Sequence, residues 1–407
     1  MNKKKLKDGL YMLSMNVDDM LFESMWELPH GVSMNSYLVK GEKTAIIDGV
    51  IGWDGVPETL YKELGDIDVD PKNIAYLIVN HLEPDHSGWI DNFKKVNDDF
   101  TVVTTAKGEP ILKAFYGDDL KIMVVGEGDT LDLGNGKVLS FHPTPNVHWP
   151  ETMLTYEQCT KALFSCDMYG AFGTVSDRCF YDELSKEEQA VIEEETIRYY
   201  SNVLTTFSPM VKRSIAKTKE LDVEMILTGH GPAYRGDINQ IIAQYESYAN
   251  YANGFGKNEV AILYGSMYGT TEKVVHIVKD LVEEKGLKVH MLHMPYTSES
   301  EMVAKVFSSA GVIVAASTYE YKMFPPVAHA IDELGRKKIT GKESMFFGSY
   351  GWNSGAQKDF TTILDTYRMK WNIDHTLEFE GIAKEVQISE IKEAVNDLLK
   401  RMKEKVL

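Results

Sequence analysis

Cysteine is scarce in this 407-residue chain: there are three, Cys159, Cys166 and Cys179. The number is odd and no Cys-x-x-Cys pair occurs, which argues against a disulfide framework. It also excludes an iron or zinc knuckle of four cysteines within the chain, so any electron-transfer centre of that kind is expected on another protein. Long apolar runs are missing too. No stretch approaches the roughly 20 residues of a membrane-spanning helix, and after the lysine-rich residues 1–9 the apolar residues 10–15 are too few for the core of a secretory signal. A cytoplasmic protein without a membrane partner is expected. Positive charge is in the minority, with 43 Lys plus Arg against 61 Asp plus Glu and a formal net charge of -18. That disfavours nucleic acid, which is bound through a basic surface. A Gly-x-Gly-x-x-Gly fingerprint is absent, which argues against a dinucleotide site.

What is present is enough apolar sequence, 43% with 11% aromatic, for large cores, and a length that suggests two or three domains. From Tyr11 to about Gly231 short apolar runs are separated by turns. Residues 36–39 and 44–48 read as a hairpin about the turn 40–43. Residues 75–79, 100–104, 120–125, 137–141 and 162–165 are further strand candidates. Helical patterns occupy 57–64, 110–116 and a long stretch from 186 to about 219, interrupted near Pro209. Strands with interspersed helices suggest an α/β sandwich. A helix from 237 to about 253 leads into Asn253-Gly254-Phe255-Gly256, a plausible junction, which divides the chain into domains 1–254 and 255–407. Beyond it, strands at 259–264, 288–292, 312–316, 344–347 and 378–381 alternate with helices starting near 271, 298, 325, 354 and 385. This βαβ rhythm predicts a doubly wound parallel sheet.

The strand ends carry the chemistry. Asn80-His81-Leu82-Glu83-Pro84-Asp85-His86 follows the buried run 75–79 and crowds four metal-binding side chains into six positions. Such a neighbourhood is costly unless a cation compensates it. Later runs each deliver one more: His148 after 137–141, Asp167 after 162–166, His230 after 223–227. Loops held by a rigid sheet are where such sites are built. The seven side chains, His81, Glu83, Asp85, His86, His148, Asp167 and His230, are too many for one tetrahedral zinc but suit two metals with a bridging carboxylate and an open face. His142 sits on an apolar strand and is assigned to packing.

On these residues the chain resembles the metallo-β-lactamase fold in the variant of the flavodiiron proteins. Where hydrolytic members of that fold have His in the second cluster position, this chain has Glu83, an anionic oxygen donor that favours ferric iron over zinc. The resemblance implies an N-terminal αββα sandwich in which His81, Glu83 and His148 bind one iron, Asp85, His86 and His230 the other, and Asp167 bridges them. Tyr199 and Tyr200 lie on the long helical stretch; the resemblance implies that one of them offers a hydroxyl near the open metal face, and core packing is the alternative for both.

In the second half, Ser266-Met267-Tyr268-Gly269-Thr270-Thr271 follows the first strand and opens a helix, where amides and hydroxyls favour a phosphate. It resembles the flavodoxin phosphate loop. Ser317-Thr318-Tyr319 and Gly348-Ser349-Tyr350-Gly351-Trp352 follow the third and fourth strands, with aromatics suited to stack on an isoalloxazine ring and glycines that admit its carbonyls to backbone donors. FMN is the implied cofactor. The family resemblance implies reduction of dioxygen to water, nitric oxide to nitrous oxide, or both, protecting an anaerobe. Electrons would come from a rubredoxin, a rubredoxin reductase or a reduced deazaflavin coenzyme. The resemblance further implies a head-to-tail homodimer or dimer of dimers, with Trp352 and Glu83 near the crossing point. The alternative is a dizinc hydrolase with a regulatory flavodoxin-like domain.

Overall fold

In the computed structural model, which describes residues 2–18 and 20–407, the chain divides into two compact units: residues up to 199 with 209–246, and residues 200–208 with 247–407. The first unit holds two sheets. The seven-stranded sheet runs in chain order through Asn2–Lys7, Leu10–Val17, Val32–Lys40, Thr44–Ile47, Ile74–Ile78, Thr101–Thr105 and Lys121–Val125. Its early pairings are antiparallel, and from Thr44–Ile47 onward they are parallel. The six-stranded sheet is ordered Tyr234–Arg235, Met225–Thr228, Ala162–Cys166, Met153–Glu157, Val138–Pro143 and Thr130–Asp132.

One core joins the two sheets: Met12, Tyr37, Ile47, Ile78 and Val103 from the first meet Leu139, Phe141, Phe164 and Leu227 from the second. The opposite face of the seven-stranded sheet buries Leu38, Ile46 and Leu77 under Leu60, Leu64, Phe93 and Leu112. These come from the helices Val56–Gly65, Ile90–Phe93 and Gly108–Tyr116. Strands covered on both faces read as continuous apolar runs rather than alternating ones, which is why they were conspicuous in the sequence.

Two regions differ from expectation. Asn2–Lys7, with four lysines, forms an edge strand paired with Leu10–Val17; charged residues suit an edge, and composition alone hides such a strand. The long helical stretch breaks earlier than Pro209. It comprises Lys186–Tyr199, a π turn Tyr200–Leu204, a 3-10 turn Thr205–Phe207 and the helix Ser208–Glu220. Pro209 lies in the first turn of the last helix, where its missing N–H costs nothing.

The second unit is a parallel sheet ordered Lys288–His293, Lys257–Gly265, Ser309–Ala316, Glu343–Tyr350 and Asn372–Glu380. The second strand in sequence therefore lies outside the first, and the chain reverses direction across the sheet beside Lys257–Gly265. That switch point leaves a crevice at the strand C-termini. Helices Thr270–Glu284, Glu299–Ser308, Pro325–Arg336, Ala356–Thr366 and Glu385–Arg401 follow the strands in turn. A short hairpin, Thr318–Tyr319 with Lys322–Met323, adds to the crevice wall. Among the described residues, no helix is long and apolar enough to cross a membrane.

Lys342 is fully buried at the head of the strand Glu343–Tyr350. Its Nζ donates to the carbonyl oxygens of Phe255, Phe307 and Ser309 at 2.9, 2.7 and 2.8 Å, which uses every ammonium hydrogen. Burial nonetheless pushes its pKa from 10.5 down to about 7. Between those two values the unfolded chain holds a proton that the folded chain has released, so folding stability rises with pH. Denaturant titrations from pH 7 to 10.5 are expected to show this gain, and Lys342→Met to abolish it.

Candidate metal centre and flavin cleft

The strand Ile74–Ile78 runs directly into the ligand loop. Pro84 occupies the first position of the one-turn helix Pro84–Ser87, where its fixed φ starts the turn without losing a backbone bond. Ser87 Oγ donates back to the carbonyls of Leu82 and Glu83 at 2.9 and 3.0 Å. The turn throws Asp85 and His86 to the same side as His81. Two buried acids brace the loop, Asp48 just after the strand Thr44–Ile47 and Glu151 just before Met153–Glu157. Asp48 accepts from the Asn80 backbone N–H and side-chain amide, each at 2.9 Å, and Glu151 accepts from the Leu82 N–H at 2.8 Å.

All seven predicted side chains converge, each from the C-terminal end of a strand. Asp167 lies between two groups. Its Oδ2 is 2.9 Å from His81 Nε2 and 3.1 Å from His148 Nε2, while its Oδ1 is 3.5 Å from His86 Nε2 and 3.6 Å from His230 Nε2. Glu83 Oε2 is 2.9 Å from His148 Nε2, completing the first group. Asp85 Oδ2 is 3.2 Å from His230 Nε2 and 3.5 Å from His86 Nε2, completing the second. His142 stands apart. Its Nδ1 faces Glu127 at 2.9 Å on the part-exposed sheet surface, so a carboxylate rather than apolar packing holds it.

The electrostatics of this cluster ask for cations. Burial opposes charge on His86, but Asp85 and Asp167 outweigh it and push the imidazole up to about 10. His148 is likewise raised well above its ordinary range against its burial by Asp167 and Glu83. Asp167 is held well below the carboxylate range despite burial, by His81 and its other imidazole neighbours. Positive charge is wanted at both groups, and bound metal ions supply it there. The donor geometry fits the same conclusion. The Nε2 atoms of His86 and His230 face each other at 3.0 Å, and Oδ1 of buried Asp85 lacks a hydrogen-bond partner. His230 Nδ1 lies 2.8 Å from the Ser33 carbonyl; donating there leaves Nε2 free to bind metal, the usual support for a ligating imidazole. Nitrogen and carboxylate donors in this proportion suit iron.

Other residues near the cluster carried no sequence signal. Cys166 Sγ lies within 4.8 Å of ligand atoms of His81, His86 and Asp167. Its φ of 51° is a left-handed conformation, as are those of Asp48 at 50° and Asn146 at 63°. Such strain gathers where surrounding structure dictates a backbone position. Tyr199 is fully buried, its ring centroid is 5.7 Å from that of His230, and its hydroxyl has no partner. Burial, then Asp167, keep that phenol protonated. Tyr200 turns elsewhere: it belongs to the second unit, pairs with Ser208 Oγ at 3.0 Å and stacks on Phe307.

In the second unit a cleft of about 480 Å³ opens at the switch point. Of the predicted residues, Met267, Tyr268, Thr270, Ser317, Thr318, Tyr319, Ser349, Tyr350, Gly351 and Trp352 line it. Ser266, Gly269, Thr271 and Gly348 build its walls without lining it. Gly269 takes φ +80° as the N-cap of Thr270–Glu284, and its N–H is held by Ser266 Oγ at 3.0 Å. That helix start has no side-chain cap, so its first N–H groups are open to a phosphate. Thr271 and Ser349 hydroxyls pair at 2.8 Å. A Cβ on Gly348 would lie 1.9 Å from the Ala316 carbonyl oxygen, so only glycine lets these strand ends approach. Buried Ser317 Oγ has no partner, leaving a hydroxyl for a ligand. Exposed aromatic faces on Trp352 and Tyr268 suit a flat ring. Glu320, Tyr321, Asn353 and Gly381 complete the lining.

Replacing Asp167 by Asn removes the charge shared by both groups while keeping the shape. Purified Asp167→Asn is expected to lose at least one of two bound metal ions, read by elemental analysis of metal per folded chain.

Residues 32–231 match the ODP family beta lactamase family and residues 262–370 the flavodoxin family. The anaerobic nitric oxide reductase flavorubredoxin of Vibrio vulnificus is 33% identical over 81% of this chain and 66% of its own length. This chain therefore spans just under two thirds of that relative. The Citrobacter koseri protein of the same name is 32% identical over 84% of this chain and 72% of its own. The crystal structure of the flavodiiron protein from Giardia intestinalis superposes with a TM-score of 0.90 at 26% identity, covering 99% of this chain and 97% of that one. A lactamase-like domain followed by a flavodoxin domain, with relatives of this identity over most of both, places this chain in the flavodiiron protein family.

Proposed function

We propose that this protein is an FMN- and diiron-dependent oxidoreductase that reduces dioxygen to water, nitric oxide to nitrous oxide, or both, and so protects an anaerobe from these gases. The observation that carries the reading is the placement of Asp167, with one carboxylate oxygen toward His81 and His148 and the other toward His86 and His230. His81, Glu83 and His148 would hold one iron and Asp85, His86 and His230 the second, with Asp167 shared between the two groups. The cleft from Met267 to Trp352 holds FMN. Along the chain, residues 1–254 make the diiron domain and 255–407 the FMN domain, with 200–208 and 247–254 packing on the second unit.

Two irons and one flavin supply four electrons when reduced, the number that takes dioxygen to two waters without releasing peroxide, whereas joining two nitric oxide molecules needs two. The chain's own part is to position and to exclude water. Trp149 lies parallel to the His81 ring and Phe22 meets the His230 ring edge-on, so apolar faces flank the ligands. Tyr199 keeps a protonated, unpartnered hydroxyl with its ring beside His230, and would donate a hydrogen bond to a diatomic substrate held there. Glu83, a hard anionic donor, weighs against a dizinc hydrolase.

The flavin and iron sites lie in separate units of one chain, and a head-to-tail homodimer brings the flavin of one copy to the irons of the next. A dimer of dimers keeps the same pairing. Electrons come from a rubredoxin, a rubredoxin reductase or a reduced deazaflavin coenzyme. Unpaired cysteines also agree with a reducing cytoplasm.

Mixing anaerobically reduced protein with each gas tests the reading: iron-loaded yellow protein is expected to consume dioxygen, nitric oxide or both. A colourless, zinc-loaded preparation that consumes neither would overturn it. Tyr199→Phe is expected to slow turnover about fivefold, the worth of one hydrogen bond of about 1 kcal/mol, while Tyr200→Phe leaves it unchanged, as stopped-flow rates would show.

A further inference from the structure

The turn between Thr318–Tyr319 and Lys322–Met323 consists of Glu320 and Tyr321, with φ of 48° and 64°. Two successive non-glycine residues in the left-handed region are uncommon, and neighbouring contacts hold them there. The Met323 N–H donates to Asp359 Oδ2 at 3.2 Å. The Tyr321 carbonyl oxygen would lie 2.1 Å from a Cβ on Gly355, so the turn is seated against backbone. Glu320 is thereby fixed at the wall of the cleft.

Among the described residues lining that cleft, Glu320 is the one whose side chain is charged at neutral pH; the others offer hydroxyls, aromatic rings, a thioether, an amide or bare backbone. Among the described residues, no lysine, arginine or histidine lines it. Lys322, on the same hairpin, has its Nζ 3.8 Å from Asp359. A second carboxylate, Glu378, stands behind the wall, 3.4 Å from Thr318 Oγ1.

We propose that Glu320 lowers the reduction potential of the flavin bound in this cleft, an inference that rests on the FMN reading above. Reduction adds electron density to the ring system, and a carboxylate at the cleft wall, with no basic side chain among the described lining residues of its own chain, raises the energy of the reduced form. Electrons held at lower potential pass onward to iron more readily. Glu320 is exposed, so solvent screens the effect and its size is modest: about threefold in the two-electron equilibrium constant, or about 15 mV.

The test is a spectroelectrochemical titration of the full-length, FMN-loaded protein as wild type, Glu320→Gln and Glu320→Lys, at low salt and at about 1 M salt. The expected result is a positive shift in the Gln variant, a larger one in the Lys variant, and both shrinking at high salt. Unchanged potentials with FMN bound overturn the proposal. So does a shift indifferent to salt, which marks an altered turn rather than a charge, and so does loss of FMN from the Gln variant, which makes Glu320 a binding group. Wild-type protein that takes up no FMN defeats the cofactor reading itself.

Discussion

A single carboxylate shared between two ligand groups organises the first unit. Asp167 is almost fully buried and meets imidazoles through both oxygens. Without it two trios of ligands would be two separate sites. With it, charge at one site is felt at the other. Holding Asp167 in place demands a left-handed backbone at Cys166 and close packing of Gly229, whose added Cβ would meet His86 at 3.0 Å. Outward from there, Asp48 and Glu151 clamp the loop 80–86 from turns at the ends of two other strands. The sandwich core supplies the rigidity that fixes four imidazoles and three carboxylates at distances their own repulsions oppose.

The second unit solves a different recognition problem by the same placement. Its ligand-facing loops also leave the C-terminal ends of strands, but the groups presented are backbone N–H groups, hydroxyls and aromatic faces. A helix N-terminus without a side-chain cap suits a phosphate. Aromatic rings on strand-end loops suit a planar heterocycle. The metal cluster stabilises concentrated positive charge, whereas the cleft carries one peripheral carboxylate and no cation. Each is matched to what it holds, which is why the two chemistries occupy different sheets.

Much of this was legible in the chain. Strands buried on both faces, such as Ser309–Ala316, announce themselves as unbroken apolar runs, and metal-binding side chains directly after an apolar run stand out. The parallel sheet of the second half followed from strands and helices in strict alternation. The edge strand Asn2–Lys7 was hidden because lysines carry no apolar period. The break at Tyr200–Leu204 was misplaced to Pro209 because a π turn has no residue signature comparable to proline. Packing was assigned to His142, whose partner Glu127 is 15 residues away in sequence and comes close only because strands pair.

The amino-acid sequence by itself determined which chemical groups are available: imidazole and carboxylate donors without thiolate pairs in one half, glycines, hydroxyls and aromatics at strand ends in the other. These are properties of residue type and local order, and they survive any folding. Only the tertiary structure decided which tyrosine faces the metal ligands, since Tyr199 and Tyr200 are indistinguishable neighbours until the helix ends between them. It also decided that Asp48, Glu151 and Cys166 surround the cluster and that Glu320 stands at the flavin cleft on a left-handed turn. Contacts between residues far apart in the chain depend on strand register and loop closure, and no local pattern encodes them.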